Sequence, residues 1–338
     1  MSRGRTAGAG ATERGSGRVR ACAGQDGAWR ERMGQIAFVF PGQGSQALGM
    51  GRELGETSAR WDEAAAALGM DLRRLCLEGP EAELTLTANT QPAILTASVI
   101  ALDALTAAGI GCAFAAGHSL GEYSALVAAG ALTFGEAVRT VRARGTFMQE
   151  AVPAGQGAMA AVIGLDRAAV NAACAEARAA GVVQVANLNA PGQTVIAGTR
   201  EAVQRAIEIA KGKGAKRAIL LPVSAPFHSA LMEPAARRLE AVLRTVAFQD
   251  LRFPVVTNVD AVPLREGAKA MDSLLRQVTS PVRWEDVVAR LTAEGVDTFI
   301  EVGPGKVLCG LIRRIAPQAR LLNVEDRPSL EATVEALK

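Results

Sequence analysis

The chain has 338 residues, 49% of them hydrophobic and 21% charged, with a formal net charge of +3, a composition typical of a globular enzyme. Five scattered cysteines without CxxC spacing and only two histidines exclude a disulfide framework and a zinc site, and they fit a reducing cytoplasm. Seven arginines and three acidic residues give residues 1–32 a charge of +4, which leaves −1 for the rest, so no nucleic-acid binding is predicted for the folded part.

The first predicted segment is an N-terminal extension, residues 1–32. It is rich in Gly, Ala and Arg, and Val19 is its only branched aliphatic residue, so it is predicted to be disordered. It lacks the apolar core of a secretory signal. An arginine-rich, acid-poor composition also occurs in organelle transit peptides, but the favoured interpretation is upstream sequence without a function, before a native start at Met33.

Strand and helix patterns then alternate along the chain. The continuous apolar run at residues 36–40 ends at Pro-Gly and predicts a buried parallel strand. The longest apolar stretch, residues 93–102, is too short to span a membrane. This alternation predicts an α/β fold with a mainly parallel sheet. The next predicted elements are helices near 58–69 and 90–108, a strand at 112–117, and helices at 121–129 and 134–152.

Residues 154–223 follow a different pattern and are predicted to form a small inserted domain. Their order is strand, helix, strand, strand, helix, strand, which is typical of a ferredoxin-like unit. Asp166 is the predicted N-cap of the first helix. The large domain, residues 33–153 and 224–338, resumes after this unit. The predicted strands of the unit are 158–163, 182–188, 194–197 and 217–221, and its second helix is 200–211. The predicted elements that follow are a strand at 255–257, a helix at 284–293 and a strand at 298–302.

The segment Gly117-His118-Ser119-Leu120-Gly121 matches GxSxG, the nucleophile elbow. A predicted strand precedes it and a predicted helix follows, so the turn presents the Ser119 hydroxyl near a helix N-terminus. A serine in an ordinary turn is the alternative. A serine nucleophile needs a base, and only His118 and His228 are available. The ring of His118 is expected to point away from the Ser119 oxygen and to pack, whereas His228 lies in a loop after a strand and is the predicted base.

Two other glycine-rich segments are read as loops. The first, residues 40–46, fits a loose dinucleotide fingerprint, but the acid 20 residues on, Asp62, falls in a predicted helix. This loop can instead direct one backbone N–H toward an oxyanion. The second, residues 303–306, resembles part of a P-loop but has Ile300 and Val307 where that motif needs Gly and Ser or Thr.

Taken together, these motifs resemble the malonyl-CoA:acyl carrier protein transacylase family over residues 34–325. The resemblance implies an α/β-hydrolase-like large domain with a mainly parallel sheet and an inserted ferredoxin-like small domain. The matching segments are Phe40–Gln46, Gly117–Gly121, Arg144-Gly145-x-x-Met148-Gln149, Asn187-x-Asn189-x-Pro191-Gly192-Gln193 and Glu301–Gly305.

The resemblance also implies catalytic roles. Ser119 would be the acylated nucleophile, and His228 its general base and acid. The main-chain carbonyl of Gln277 would orient the imidazole in place of an aspartate. This fits the sequence, because the acids between Ser119 and His228 that could complete a triad are interpreted as an N-cap and as helix-face residues. Backbone N–H groups of Gln43 and Leu120 would form the oxyanion hole.

Substrate-binding roles follow from the same resemblance. Arg144 would hold the free malonyl carboxylate in a bidentate pair, although three arginines crowd its predicted helix and a solvated arginine is the alternative. Phe227 matches the bulky residue of malonyl-selective members. Met148, Asn189 and His118 would also contact the substrate.

The implied activity is malonyl transfer from malonyl-CoA to acyl carrier protein for fatty acid biosynthesis, without a cofactor or metal. A cytoplasmic monomer is expected, and a polyketide pathway stays open. Two other classes are weighed against this function. A serine hydrolase would need a buried acid on a strand end between Ser119 and His228. A non-catalytic carrier-protein-binding module would be expected to have lost Ser119, His228 or Arg144.

Overall fold

The computed structural model describes residue 1, residues 35–223 and residues 225–338. The predicted extension, residues 1–32, therefore lies outside the described residues apart from Met1. The strands are β1 (Gln35–Phe40), β2 (Phe114–Gly117), β3 (Gly157–Ile163), β4 (Val183–Ala190), β5 (Gln193–Thr199), β6 (Arg217–Leu220), β7 (Val255–Val256), β8 (Pro263–Leu264), β9 (Val296–Val302) and β10 (Arg320–Val324). The helices are α1 (Arg52–Gly55), α2 (Ala59–Leu68), α3 (Leu72–Glu78), α4 (Glu81–Leu84), α5 (Thr87–Ala107), α6 (Gly121–Ala128), α7 (Phe134–Glu150), α8 (Arg167–Ala177), α9 (Arg200–Gly212), α10 (Glu233–Leu243), α11 (Gly267–Gln277), α12 (Trp284–Ala293), α13 (Val307–Ile315) and α14 (Arg327–Ala336).

A six-stranded sheet forms the centre of the larger part, in the order β10-β9-β1-β2-β7-β8. All neighbouring strands are parallel except β7 and β8. The apolar run of β1 is buried, and β1 is a central strand between β9 and β2. Phe40 pairs with Gly117 in the register of β1 and β2, so the loops that follow these strands leave the sheet side by side.

A second, four-stranded sheet has the order β4-β5-β3-β6, and all of its pairs are antiparallel. Helices α8 and α9 pack on it around a core of small and branched apolar side chains. Asp166 caps α8, since its carboxylate accepts a hydrogen bond from the N–H of Ala169 at 2.7 Å. Backbone hydrogen bonds join this sheet to the larger part, because Val282 exchanges them with Ala186 and Leu188.

Helix α5 is the longest helix of the described chain and is mostly buried inside the fold. By length and mean hydropathy, 1.2 over its most apolar window, it could cross a bilayer, but 72% of that window is buried inside the fold. It packs against α7 and α2 instead of facing outward. Its apolar character is explained by this central position.

The predicted helices and strands are all present, with ends that differ by no more than three residues. The prediction of an α/β fold with a mainly parallel sheet is also confirmed. Nine of these helices and strands were not predicted: α1, α3, α4, α10, α11, α13, α14, β8 and β10.

Candidate active site

The nucleophile elbow connects β2 to α6. Ser119 has φ = 51°, in the left-handed region, which L-residues with a side chain rarely adopt. The glycines on either side are sterically required. A Cβ on Gly117 would lie 1.9 Å from the carbonyl carbon of Gly121, and a Cβ on Gly121 would lie 2.0 Å from the oxygen of Phe40. The chain can therefore turn sharply and place Ser119 beside the N-terminus of α6.

Asn258, in the loop after β7, holds this elbow. Its Oδ1 accepts a hydrogen bond from the N–H of Ser119 at 2.7 Å, and its Nδ2 donates to the carbonyl oxygen of Gly117, also at 2.7 Å. Asn258 is fully buried, so these hydrogen bonds have little competition from water. The sequence analysis missed this residue, and its only local signal is a polar side chain two residues after a short apolar strand.

His228 lies within hydrogen-bond distance of the serine. The Ser119 hydroxyl faces His228 Nε2 at 2.7 Å, and Nδ1–H donates to the main-chain oxygen of Gln277 at 2.9 Å. A carbonyl can only accept, so it places the proton on Nδ1 and leaves Nε2 as the acceptor for the serine proton. Burial, together with the charge of Arg144, lowers the pKa of His228 to about 3. The imidazole is therefore neutral and able to act as a base.

The two predicted oxyanion donors lie on adjacent loops. Gln43 follows β1, Leu120 follows β2, and both line the cavity in front of Ser119. Among the described residues, neither backbone N–H has a hydrogen-bond partner. Gly42 allows the close approach of the loops, since a Cβ there would lie 2.5 Å from the oxygen of His118. Two unpaired N–H groups beside a serine can bind a developing negative charge.

Arg144 is buried on α7, with 2% of its surface exposed. Its Nη2 donates to Ser119 Oγ at 3.1 Å and to Gln277 Oε1 at 3.0 Å, while Nη1 donates to Gln91 Oε1 at 2.8 Å. The guanidinium also lies 5.6 Å from the ring centre of Tyr123. Its Nε has no partner in the described part of the chain. Arg144 is therefore not a solvated helix arginine.

These groups surround a cavity of about 240 Å³. His118 lines this cavity, its ring centre lies 5.7 Å from that of Trp284, and its Nε2 lies 2.9 Å from Asn189 Oδ1. Its ring nitrogen pairs with Asn189, whereas the Ser119 hydroxyl faces His228. Gln277, although in direct contact with Arg144 and His228, does not line the cavity. The predicted residues that do line it are Gln43, His118, Ser119, Leu120, Arg144, Met148, Asn189, Phe227 and His228.

Glu122 is the second residue that sequence reasoning missed. The acids between Ser119 and His228 other than Asp166 were interpreted as helix-face residues, and Glu122 is one of them. It is in fact 1% exposed, accepting from the N–H of Asn258 at 3.0 Å and from Gln277 Nε2 at 2.8 Å. Burial raises its pKa to about 7, against the opposing effect of these hydrogen bonds and of Arg144. Its position next to the elbow was the available signal.

Comparisons with known proteins place the chain in one family. A family model described as the acyl transferase domain matches residues 37–326. The chain is 51% identical over 311 residues to the malonyl CoA-acyl carrier protein transacylase of Bacillus subtilis, covering 90% of this chain and 98% of the relative. It is 49% identical over 308 residues to the protein of that name from Escherichia coli, covering 90% and 100%.

The fold is also similar to solved structures of proteins with related names. An acyl-carrier-protein S-malonyltransferase from Burkholderia pseudomallei is similar with a TM-score of 0.87 at 48% identity, covering 89% of this chain and 99% of that one. A malonyl-transacylase in complex with its type II polyketide synthase acyl carrier protein also gives a TM-score of 0.87, at 46% identity and the same coverage.

Proposed function

The chain belongs to the acyl transferase domain family, and we propose that it transfers a malonyl group from malonyl-CoA to the phosphopantetheine thiol of acyl carrier protein. Curated relatives at 51% and 49% identity over nearly their whole length carry the name of that activity. The product would supply extender units for fatty acid biosynthesis. We further propose that the protein works as a cytoplasmic monomer.

One observation carries the choice of acyl group. The guanidinium of Arg144 lies 3.1 Å from the Ser119 oxygen inside a cavity that is otherwise largely apolar. A fixed positive charge at this place stabilises an acyl group that carries its own carboxylate, because a buried carboxylate without a partner is strongly disfavoured. An acetyl group gains nothing from the same charge.

The transfer proceeds in two half-reactions through malonyl-Ser119. In the first, the Ser119 oxygen attacks the thioester carbonyl while its proton passes to Nε2 of His228. The N–H groups of Gln43 and Leu120 hold the oxyanion. The C–S bond then breaks, and the coenzyme A sulfur leaves with the proton from His228. In the second, the carrier thiol gives its proton to His228 and attacks the acyl-serine, and Ser119 recovers its proton as the acyl–oxygen bond breaks.

The remaining site residues are proposed to shape the pocket for the malonyl group. Met148 and Phe227 supply apolar surface beside the reacting carbon. His118 and Asn189 form a hydrogen-bonded pair on the wall of the cavity, where they can contact a polar part of the substrate. Gln277 contributes its main-chain carbonyl, which keeps the His228 imidazole in the productive tautomer.

We also propose a finer description of the fold: an α/β-hydrolase-like large domain, residues 33–153 and 224–338, with a ferredoxin-like subdomain, residues 154–223. The subdomain is supported by its strand–helix order and by the antiparallel sheet order β4-β5-β3-β6. The large domain is supported by its mainly parallel sheet and by an elbow between β2 and α6.

The first test is formation of the acyl-enzyme. Intact-protein mass spectrometry after mixing with malonyl-CoA should show one added malonyl group, absent in Ser119→Ala. Addition of the carrier protein should discharge it onto the carrier thiol. A serine hydrolase would instead release free malonate to water, so hydrolysis without transfer would contradict the proposal.

The second test concerns Arg144. Removal of one member of a buried charged pair costs about 2–5 kcal/mol, or roughly 30- to 4,000-fold in kcat/KM. Arg144→Ala should lose malonyl transfer by that factor, lose much less acetyl transfer, and be only partly rescued by Arg144→Lys. Arg139→Ala, an exposed arginine of the same helix, is the control. Equal losses for malonyl-CoA and acetyl-CoA would mean that Arg144 does not select the acyl group.

A further inference from the structure

The positive charge of Arg144 has no carboxylate in direct contact. Among the described residues, no Asp or Glu oxygen lies within 4.0 Å of its guanidinium nitrogens. Burial lowers the pKa of Arg144, and Glu122 acts against that effect as a nearby negative charge. Glu122 and Arg144 are both almost fully buried. The counter-charge is therefore close to Arg144 but does not touch it.

The side-chain amide of Gln277 lies between the two charges. Its Oε1 accepts from Arg144 Nη2 at 3.0 Å, and its Nε2 donates to Glu122 Oε2 at 2.8 Å. The acceptor end of the amide faces the cation and the donor end faces the carboxyl group, so the two charges fix which way the amide points. Ser273 and Asn258 hold Glu122 on its other sides, through contacts of 3.3 Å and 3.0 Å.

This arrangement solves two opposing requirements. A buried arginine needs a counter-charge, because an isolated ion in the interior is strongly disfavoured. A direct salt bridge, however, would occupy the N–H groups that a substrate carboxylate must use. A carboxylate held one amide away lowers the electrostatic cost of the guanidinium without itself occupying any of its N–H groups.

We propose that Glu122 is a positioning residue for substrate selection, holding the counter-charge of Arg144 at a distance through the side-chain amide of Gln277. This inference rests on the proposed function. Two opposite effects follow. Loss of the Glu122 charge strengthens the attraction of Arg144 for a substrate carboxylate, whereas loss of the Gln277 amide lets Arg144 turn toward Glu122 and form the salt bridge that competes with substrate.

The experiment measures the specificity ratio, defined as kcat/KM for Ser119 acylation by malonyl-CoA divided by kcat/KM for acylation by acetyl-CoA. Assays are run near pH 8, about one pH unit above the pKa of Glu122, so that its carboxyl group is ionised. The variants are Glu122→Gln, Gln277→Met and the double variant. Gln277→Met keeps the main-chain carbonyl that orients His228, and Glu122→Gln keeps an acceptor for Gln277 Nε2.

Three results are expected. Glu122→Gln should raise the ratio about threefold or more, since a repulsive charge near the substrate carboxylate is gone. Gln277→Met should lower it about tenfold. The double variant should recover at least about threefold of that loss, because no carboxylate remains to capture Arg144.

The control is Glu301→Gln. Glu301 is the other fully buried glutamate of the described chain and accepts from the N–H groups of Leu308 and Cys309. Its replacement should lower the melting temperature without changing the ratio. An unchanged or lowered specificity ratio in Glu122→Gln overturns the inference. If Gln277→Met does not fold, the result for Glu122→Gln alone decides the test. If the unaltered protein shows no preference for malonyl-CoA, the proposed function itself fails.

Discussion

Asn258 gives the sharpest test of how the fold holds the nucleophile. Replacing its carboxamide with a methyl group in Asn258→Ala leaves the Ser119 N–H and the Gly117 carbonyl oxygen without the partners that now lie 2.7 Å away. The main-chain N–H of Asn258, which donates to Glu122, is unaffected by the substitution. The perturbation therefore removes the two hydrogen bonds across the elbow and one longer contact, from Gln277 Nε2 to Asn258 Oδ1 at 3.4 Å.

The expected effect follows from burial. An unsatisfied buried polar group costs about 1–3 kcal/mol. Gly117 is buried and Ser119 is half-buried, so the full penalty applies to the first group and a smaller one to the second. The free energy of unfolding should fall by about 3 kcal/mol. Relaxation of Ser119 from its left-handed conformation would also move its oxygen, and a shift of about 1 Å costs about 100-fold in rate.

Two measurements check this prediction. Urea unfolding gives the change in the free energy of unfolding, provided that the m-value is unchanged, and mass spectrometry gives the rate of Ser119 acylation. Asn171→Ala is a matched control, since Asn171 makes a hydrogen bond from an exposed position on α8. A loss below about 0.5 kcal/mol, with normal acylation, would show that Asn258 does not clamp the elbow.

Of three further predictions, two concern the pH dependence of His228, and one concerns Gly117, the first residue of the elbow. Because the pKa of His228 is lowered to about 3, its imidazole stays neutral well below the ordinary pKa of about 6.5. The rate of single-turnover acylation should therefore show no inflection near pH 6.5. A clear loss of rate centred at about pH 6.5 would contradict the role of a neutral His228 as the base. In the unfolded state the pKa of His228 returns to its ordinary value, so as the pH falls the unfolded state binds the proton first. The contribution of His228 to the free energy of unfolding should therefore decrease as the pH falls from about 6.5 toward 3. Urea titrations across this pH range measure that decrease. Gly117→Ala should abolish acylation and destabilise the fold, since its Cβ would lie 1.9 Å from Gly121; an active, normally stable variant would show that the elbow can form in another way.

The helices and strands with a clear local pattern could be predicted from the sequence. The apolar run of β1 and the GxSxG turn are visible within a few residues, so the elbow could be placed correctly. Helices α10 and α11 were missed because they lie in polar, charge-rich segments, where the apolar face is narrow. The edge strand β10 was missed because it is short and flanked by polar residues.

The network behind the nucleophile could not be predicted from local patterns. Glu122, Asn258 and Gln277 are separated by up to 155 residues, and only the sheet order brings them together. A glutamate in the first turn of a helix gives the same sequence signal whether it faces water or the core. The family resemblance implied a role for the carbonyl of Gln277, but not for its side chain.

The cavity is bounded by two parts of the chain that serve different purposes. The loops with Gln43 and Leu120 leave neighbouring strands of one hydrogen-bonded ladder, and adjacent strands keep a spacing of about 4.8 Å. Another part of the wall comes from the four-stranded sheet, through Met159, Asn187, Asn189 and Val195. Substitutions in β3, β4 and β5 can therefore reshape the space for the acyl chain while the oxyanion donors stay in place. The preference for one acyl group over another can therefore change through substitutions in the four-stranded sheet while the catalytic groups keep their positions.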